Sequence, residues 1–186
     1  MSPARIDPIL ASFAPIIEPH SRIIDIGAGP GHLAREMREQ LDARVTMIDV
    51  AQYNKTDLPL TVCDSRALAF ADNSFDYAVL SFVLHHCREP EKILHEALRV
   101  SRQAIVIEND VRGRIRSIIT RLVDSTQSPW YGSPPCYFTK TRDEWLAFFR
   151  GFGVETRVLK EFPLELGFFQ NITVHLVKNS HRVESK

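Results

Sequence analysis

Ile23-Ile24-Asp25-Ile26-Gly27-Ala28-Gly29-Pro30-Gly31-His32-Leu33 is the stretch whose reading decides the fold. Ile23 to Ile26 are apolar apart from one carboxylate and read as a buried strand. Glycines follow at alternate positions, Gly27, Gly29 and Gly31, and an amphipathic run from Leu33 to Leu41 comes straight after. The order is strand, glycine-rich turn, helix. Glycine lacks a Cβ and tolerates positive φ, so such a turn brings backbone close to a ligand. The helix behind it offers unpaired N–H groups and a partial positive charge. A nucleotide-like or carboxylate-bearing ligand suits that combination.

Working outward, the turn departs from the dinucleotide fingerprint G-x-G-x-x-G/A, whose third small residue lets helix and strand pack closely. Counting from Gly27, that position holds the large His32. Arg44 to Val50 reads as a second strand, with Asp49 near its end. A carboxylate about 20 residues beyond the glycine turn is placed to accept hydrogen bonds from both hydroxyls of a ribose. The alternative is that Asp49 caps the next helix. Ala51 to Leu58 is polar and reads as a short, irregular helix. Leu60 to Cys63 is a third strand running into Asp64-Ser65, which are also common turn residues. Ala71 to Ser74 is a turn, and Phe75 to Ser81 is a near-continuous apolar strand of the kind found in parallel sheets covered on both faces.

The D-x-G-x-G-x-G form from Asp25 to Gly31 resembles the first motif of the class I S-adenosylmethionine-dependent methyltransferases. The run from Phe75-Asp76 through Ser81 to His85-His86, then Glu89-Pro90 and Ile93 to Val100, resembles the fourth-strand region of small-molecule methyltransferases. Within them it is most similar to the subgroup that handles quinones. The resemblance implies an α/β fold: a doubly wound, Rossmann-like, seven-stranded, mostly parallel sheet with an antiparallel C-terminal strand and helices on both faces. It implies that Gly27, Ala28, Gly29 and Gly31 pass under the methionine part of S-adenosylmethionine, with Asp25 helping to hold its ammonium group. Asp49 and Val50 would flank the ribose and adenine. Asp64 and Ser65 would bind the adenine edge, and Ser81 would contribute backbone near the amino acid moiety. One domain over residues 1–177 follows, with a helical cover at 1–19 and an acceptor-side insertion at 109–138. The expected reaction moves a methyl group to an O, N, C or S atom of a small acceptor. Two competitors are a non-catalytic module that binds the cofactor without transferring the methyl, and an NAD-binding oxidoreductase.

His85 and His86 stand at the carboxyl end of the fourth strand, where open α/β folds bind ligands. A neutral imidazole there can take a proton from a hydroxyl acceptor. The plainer reading is that one of them closes a turn or packs beneath the cofactor. Adjacent residues on a strand point to opposite faces, so a metal site is not expected.

Pro90 suits the first turn of a helix, and Ile93, Leu94, Ala97 and Leu98 form its apolar face. Ser101-Arg102-Gln103 then reads as a very short link into a fifth strand, Ala104 to Glu108, where the resembled family has a longer Pro-Gly-Gly turn. Val111, Ile115, Ile118, Ile119 and Leu122 fall on one face of a helix predicted within 109–124, with arginines on its flanks. Its simplest role is an ordinary core helix. A lid over the acceptor, or peripheral membrane contact through residues 111–123, is the alternative. Trp130, Tyr131, Tyr137 and Phe138 lie in a Pro-rich loop and suit an apolar or aromatic small-molecule acceptor. Thr141 and Glu144 form a capping box for a helix to about Arg150. Val154 to Leu159 and Ile172 to Val177 read as the last two strands, joined across 160–170.

At the amino end, apolar spacing over Asp7 to Ile17 predicts a helix broken by Pro15. The whole chain of 186 residues carries 23 basic and 23 acidic side chains, which argues against a broad nucleic-acid footprint. Its three cysteines lack the close pairing of a zinc site and read as thiols of a reducing, cytoplasmic setting. No signal peptide or membrane-spanning run is legible, and 178–186 reads as a disordered polar tail.

Overall fold

A computed structural model describes residues 3–113, 118, 135–164 and 169–179. Along the chain run α1 (Pro3–Leu10), β1 (Arg22–Ile26), α2 (His32–Leu41), β2 (Arg44–Asp49), β3 (Leu60–Val62) and β4 (Phe75–Ser81). They are followed by α3 (Pro90–Val100), β5 (Ser101–Asp110), α4 (Arg142–Arg150), β6 (Glu155–Leu164) and β7 (Phe169–Val177). The strands form one seven-stranded sheet in the order β3-β2-β1-β4-β5-β7-β6. β1 to β5 pair in parallel, and β7 lies antiparallel between β5 and β6. This is the expected doubly wound sheet with its antiparallel C-terminal strand.

Period-two alternation divides the core between the two faces. Ile24 and Ile26 of β1, with Ala78 and Leu80 of β4, pack against Leu94 and Ala97 of α3 and Trp145 and Phe149 of α4. Ile23 and Val79 face the other way, onto Ile9 of α1 and Leu33 and Met37 of α2. Because the chain winds outward from β1 in one direction and from β4 in the other, the crevice between their carboxyl ends is a topological switch point, the usual ligand site of such sheets.

Several boundaries differ from the sequence expectations. The amino-terminal helix begins at Pro3 and stops at Leu10, and Pro15 falls in a separate 3-10 turn, Ala14–Ile16, whose Ile16 carbonyl accepts the Tyr77 hydroxyl at 2.8 Å. Residues 51–58 form no helix. Asn54 takes over the local hydrogen bonding, its Oδ1 accepting from Thr56 N at 2.8 Å and its Nδ2 donating to the Leu58 carbonyl, so side chain replaces helical backbone pairing. Ser101 to Gln103 are not a link: α3 ends at Val100 and β5 starts at the next residue. Ser101, fully buried, joins them, its single hydroxyl hydrogen shared between the Ala97 carbonyl at 2.6 Å and the Gln103 carbonyl at 2.8 Å. Much of the connection expected over 160–170 is strand. β6 runs to Leu164 through Pro163, which a sheet tolerates on an edge strand.

The capping box at Thr141 and Glu144 is present as read. The acceptor-side helix expected within 109–124 lies outside the described residues apart from 109–113 and Ile118, as do Trp130, Tyr131 and the tail beyond 179. Among the described residues no helix is long and apolar enough to cross a membrane.

Candidate functional site

The glycine turn connects β1 to α2 at the switch point, and each of its glycines is there for a separate reason. Gly27 has φ +74°, and a Cβ on it would lie 2.6 Å from Val83 Cγ2, in the turn that leaves β4. Gly31 has φ +80°, with Asn54 Oδ1 and Thr56 Oγ1 each 2.9 Å from where its Cβ would stand. Gly29 has φ +54° and nothing described within 4 Å of its Cβ position. Its open side is where a ligand meets backbone. Gly27→Ala is therefore expected to destabilise the fold by about 2–4 kcal/mol, through left-handed strain plus overpacking against Val83. Gly29→Ala should cost only about 1–2 kcal/mol, the strain alone. Urea unfolding of the two variants measures the difference.

Two buried acids stand at this turn. Asp25, 2% exposed on β1, has Oδ2 without a hydrogen-bond partner among the described residues. Burial, with the Asp49 charge beside it, pushes the Asp25 carboxyl up to about 7. A buried, unpaired carboxylate next to a second one is costly alone and attractive to a cation. Asp49 ends β2. Its Oδ2 accepts from Gly29 N at 2.8 Å and its Oδ1 from Val50 N at 2.7 Å. Its pKa is raised by burial, an effect that these backbone N–H bonds oppose. Asp49 thus holds the glycine turn, a role not legible in its spacing. The Ala51 N–H also bonds this carboxylate, which leaves one lone pair for a ligand hydroxyl.

The remaining expected positions are less uniform. Ala28 N and Gly27 N both donate to the Ile48 carbonyl, which ties the turn across to β2. Ser65 is buried, whereas Asp64 is exposed and locked to Arg66 at 2.6 Å. Those hydrogen bonds hold the Asp64 carboxyl at about 2, and Arg66 reaches on to Glu89 at 2.8 Å. Asp64 therefore belongs to an exposed ion network rather than to the buried acids. Val50 and Val62, both more than half exposed, offer apolar surface at the ends of neighbouring strands β2 and β3. Ser81 Oγ is buried without a described partner at the end of β4. His32, at the start of α2, has its pKa lowered chiefly by burial.

His85 and His86 lie in a 3-10 turn, Leu84–His86, not on the strand itself. The expectation that their rings diverge is corrected: the ring centroids are 4.1 Å apart. The two differ in environment. His85 is 5% exposed, and its Nδ1 lies 2.5 Å from Oε2 of Glu108, a wholly buried side chain on β5. His86 is only partly buried. Two contributors escaped the sequence reading. Glu108 looked like the end of a strand. Phe82, next to Ser81, adopts φ +58°, unusual for a bulky residue, with the Arg5 guanidinium 5.5 Å over its ring.

Residues 24–104, from β1 into β5, match the methyltransferase domain family. That segment, less than half of the chain, carries the glycine turn, Asp49 and the Leu84–His86 turn. A demethylmenaquinone methyltransferase from Renibacterium salmoninarum is 36% identical to it over 90 residues, covering 45% of this chain and 38% of that protein. A ubiquinone/menaquinone biosynthesis C-methyltransferase from Stenotrophomonas maltophilia is 28% identical over 110 residues, covering 50% of this chain and 44% of that protein. The matches thus span less than half the length of these curated relatives. An S-adenosylmethionine-dependent methyltransferase from Aquifex aeolicus superposes with a TM-score of 0.66 at 18% identity, covering 95% of this chain and 94% of that one, a likeness of fold. The acids and glycines of the turn fit a cationic nucleoside such as S-adenosylmethionine.

Proposed function

We propose that the protein transfers the methyl group of S-adenosylmethionine to a small, hydroxyl-bearing aromatic acceptor of the quinol type. The observation that carries the cofactor half is the buried Asp25 carboxyl, whose Oδ2 has no partner among the described residues, near the open face of Gly29. A sulfonium nucleoside bearing an ammonium group supplies the missing counter-charge, where a dinucleotide would bring phosphates against two acids. The acceptor half rests on the quinone-type relatives and on a histidine held at the carboxyl end of β4.

In this reading Gly27, Ala28, Gly29 and Gly31 line the methionine end and Asp25 holds its ammonium. Asp49 receives the ribose hydroxyls, and Val50 packs on the adenine. Ser65 and the Asp64 backbone meet the adenine edge, while Ser81 serves the amino acid moiety. Bound cofactor supplies an electrophilic methyl on sulfur. The protein's share is alignment of the acceptor, for which effective molarities are worth at best about 7–11 kcal/mol. The three thiols form no disulfide with one another, which suits a reducing compartment. A single domain over 1–177 accords with the continuous sheet.

A thermal-shift comparison tests the cofactor. S-Adenosylmethionine at a hundredfold excess over its Kd should stabilise the fold by about 2.7 kcal/mol, and NADH should leave it unmoved. Stabilisation by NADH alone would replace this reading with an oxidoreductase. Binding without transfer to naphthalene-1,4-diol would favour the non-catalytic module.

A further inference from the structure

We propose that Arg66 withdraws Asp64 from recognition of the cofactor base, so that the amino group of the purine carries little of the binding affinity. The inference rests on the S-adenosylmethionine reading and concerns which part of that molecule the site reads. It departs from the expectation that the Asp64 side chain binds the adenine edge.

The sheet decides where the base edge falls. β3 lies beside β2 with Val62 level with Asp49, and the Cys63 N–H donates to the Asp49 carbonyl at 2.9 Å. Asp64 therefore leaves β3 next to the acid proposed for the ribose. Its carboxylate is already full. Oδ1 accepts the Arg66 backbone N–H at 2.9 Å and the Arg66 Nε–H at 3.0 Å. Oδ2 shares the same Nε–H at 3.0 Å and accepts from Nη2 at 2.6 Å. An ionised carboxylate offers about four lone-pair sites, and one residue occupies them all.

Arg66 is itself held from the far side. Its Nη1 donates to Glu89 Oε2 at 2.8 Å, and Glu89 Oε1 pairs with Lys92. These charges bridge the segment after β3 to the first turn of α3. An isolated exposed ion pair contributes little, whereas a forked guanidinium grip inside a network is the exposed arrangement that persists. For an amino group to reach Asp64, the arginine has to let go. Arginine is a donor only, so it cannot take over as the acceptor. What remains for the base edge is backbone and the Ser65 hydroxyl, which are neutral. A hydrogen bond to a neutral partner contributes less than one to a carboxylate, and at an edge as exposed as Asp64 water competes for it. Arg66 is thus a specificity-determining residue that acts through Asp64.

The test compares S-adenosylhomocysteine with its desamino analogue, in which hydrogen replaces the amino group and the ring nitrogens are kept. Isothermal titration of the wild type, which needs no variant to fold, should give Kd values within about threefold of one another. In Arg66→Ala the Asp64 carboxylate is released, and a charge-assisted bond to the amino group becomes available. That variant should prefer the amino-bearing ligand by at least about tenfold. Adding Asp64→Ala to it should bring the ratio back to within about threefold, because the two side chains act as a pair. Urea midpoints establish that each variant is folded before it is titrated. A wild type that prefers the amino-bearing ligand by more than about threefold overturns the proposal. So does an Arg66→Ala ratio no larger than that of the wild type, the result expected if the network only decorates the surface. A wild type that binds neither ligand overturns the proposed function instead.

Discussion

Asp25→Asn is expected to stabilise the empty protein above pH 7 while weakening its hold on S-adenosylmethionine. The sign follows from the raised carboxyl. An ordinary aspartate titrates near 3.8, and this one is pushed to about 7 by burial and by Asp49. Between those values the native state keeps a proton that the unfolded chain has lost. Asp25 therefore favours the fold fully below pH 3.8, and that contribution disappears as pH rises to about 7. Above pH 7 the buried charge amounts to a penalty of about 4 kcal/mol, because raising an acid's titration midpoint tenfold in proton concentration costs about 1.4 kcal/mol. Asparagine removes the charge at the cost of one unpaired amide, about 1–2 kcal/mol, for a net gain of about 2–3 kcal/mol. Urea midpoints at pH 5 and pH 8 should separate the variant from the wild type only at the higher pH.

The same substitution removes a charge-assisted partner of the cofactor ammonium, worth about 1.5–3 kcal/mol, or roughly 10–150-fold in Kd. In the wild type, affinity should rise with pH up to about 7 and then level off, because only the ionised acid pairs with a cation. Isothermal titration in buffers of different ionisation enthalpy reads the accompanying proton release. Equal affinity of variant and wild type at pH 8 would remove Asp25 from the site.

Asp49→Ala should do the opposite to stability. It leaves Gly29 N–H and Val50 N–H without the carboxylate that now accepts both. Each orphaned donor costs about 1–3 kcal/mol when buried. Part of that cost is returned, because the neighbouring negative charge that raises Asp25 also goes. The larger consequence is for binding. With the turn no longer tied to β2 and the ribose acceptor gone, the cofactor should bind at least tenfold more weakly, about 1.4 kcal/mol or more. An unchanged Kd would leave Asp49 a structural clamp alone. The paired results tell an acid that awaits a cation from an acid that builds the turn.

The sheet was legible where each strand is buried on both faces or carries glycine punctuation. Ile23 to Gly31 and Phe75 to Ser81 announce themselves because apolar runs and alternate glycines have few other uses. β6 was read too short because its polar residues lie on the exposed edge and Pro163 looks like a break. The start of β5 was hidden by Arg102 and Gln103, polar residues at the amino edge of the sheet. Residues 51–58 misled because Asn54 and Thr56 bond to their own backbone, a competition that polarity alone does not reveal. In the site, the acids were found but their partners were not. Asp49 reaches Gly29 across 20 residues of sequence and Glu108 reaches His85 across 23, distances that only the sheet closes. The exposure of Asp64 was equally invisible, since its partner Arg66 had no motif to mark it.

The seamless junction of α3 with β5 has a consequence for how this molecule accommodates what it binds. Ser101, the first residue of β5, bonds back to the Ala97 carbonyl of α3, so helix and strand meet without a loop and form one splint. Glu108 stands at the splint's far tip. No loop separates helix from strand behind it, so it is expected to move little for guests of different girth. Any adjustment has to come from rotation of rings such as His86, or from the opposite wall of the cleft.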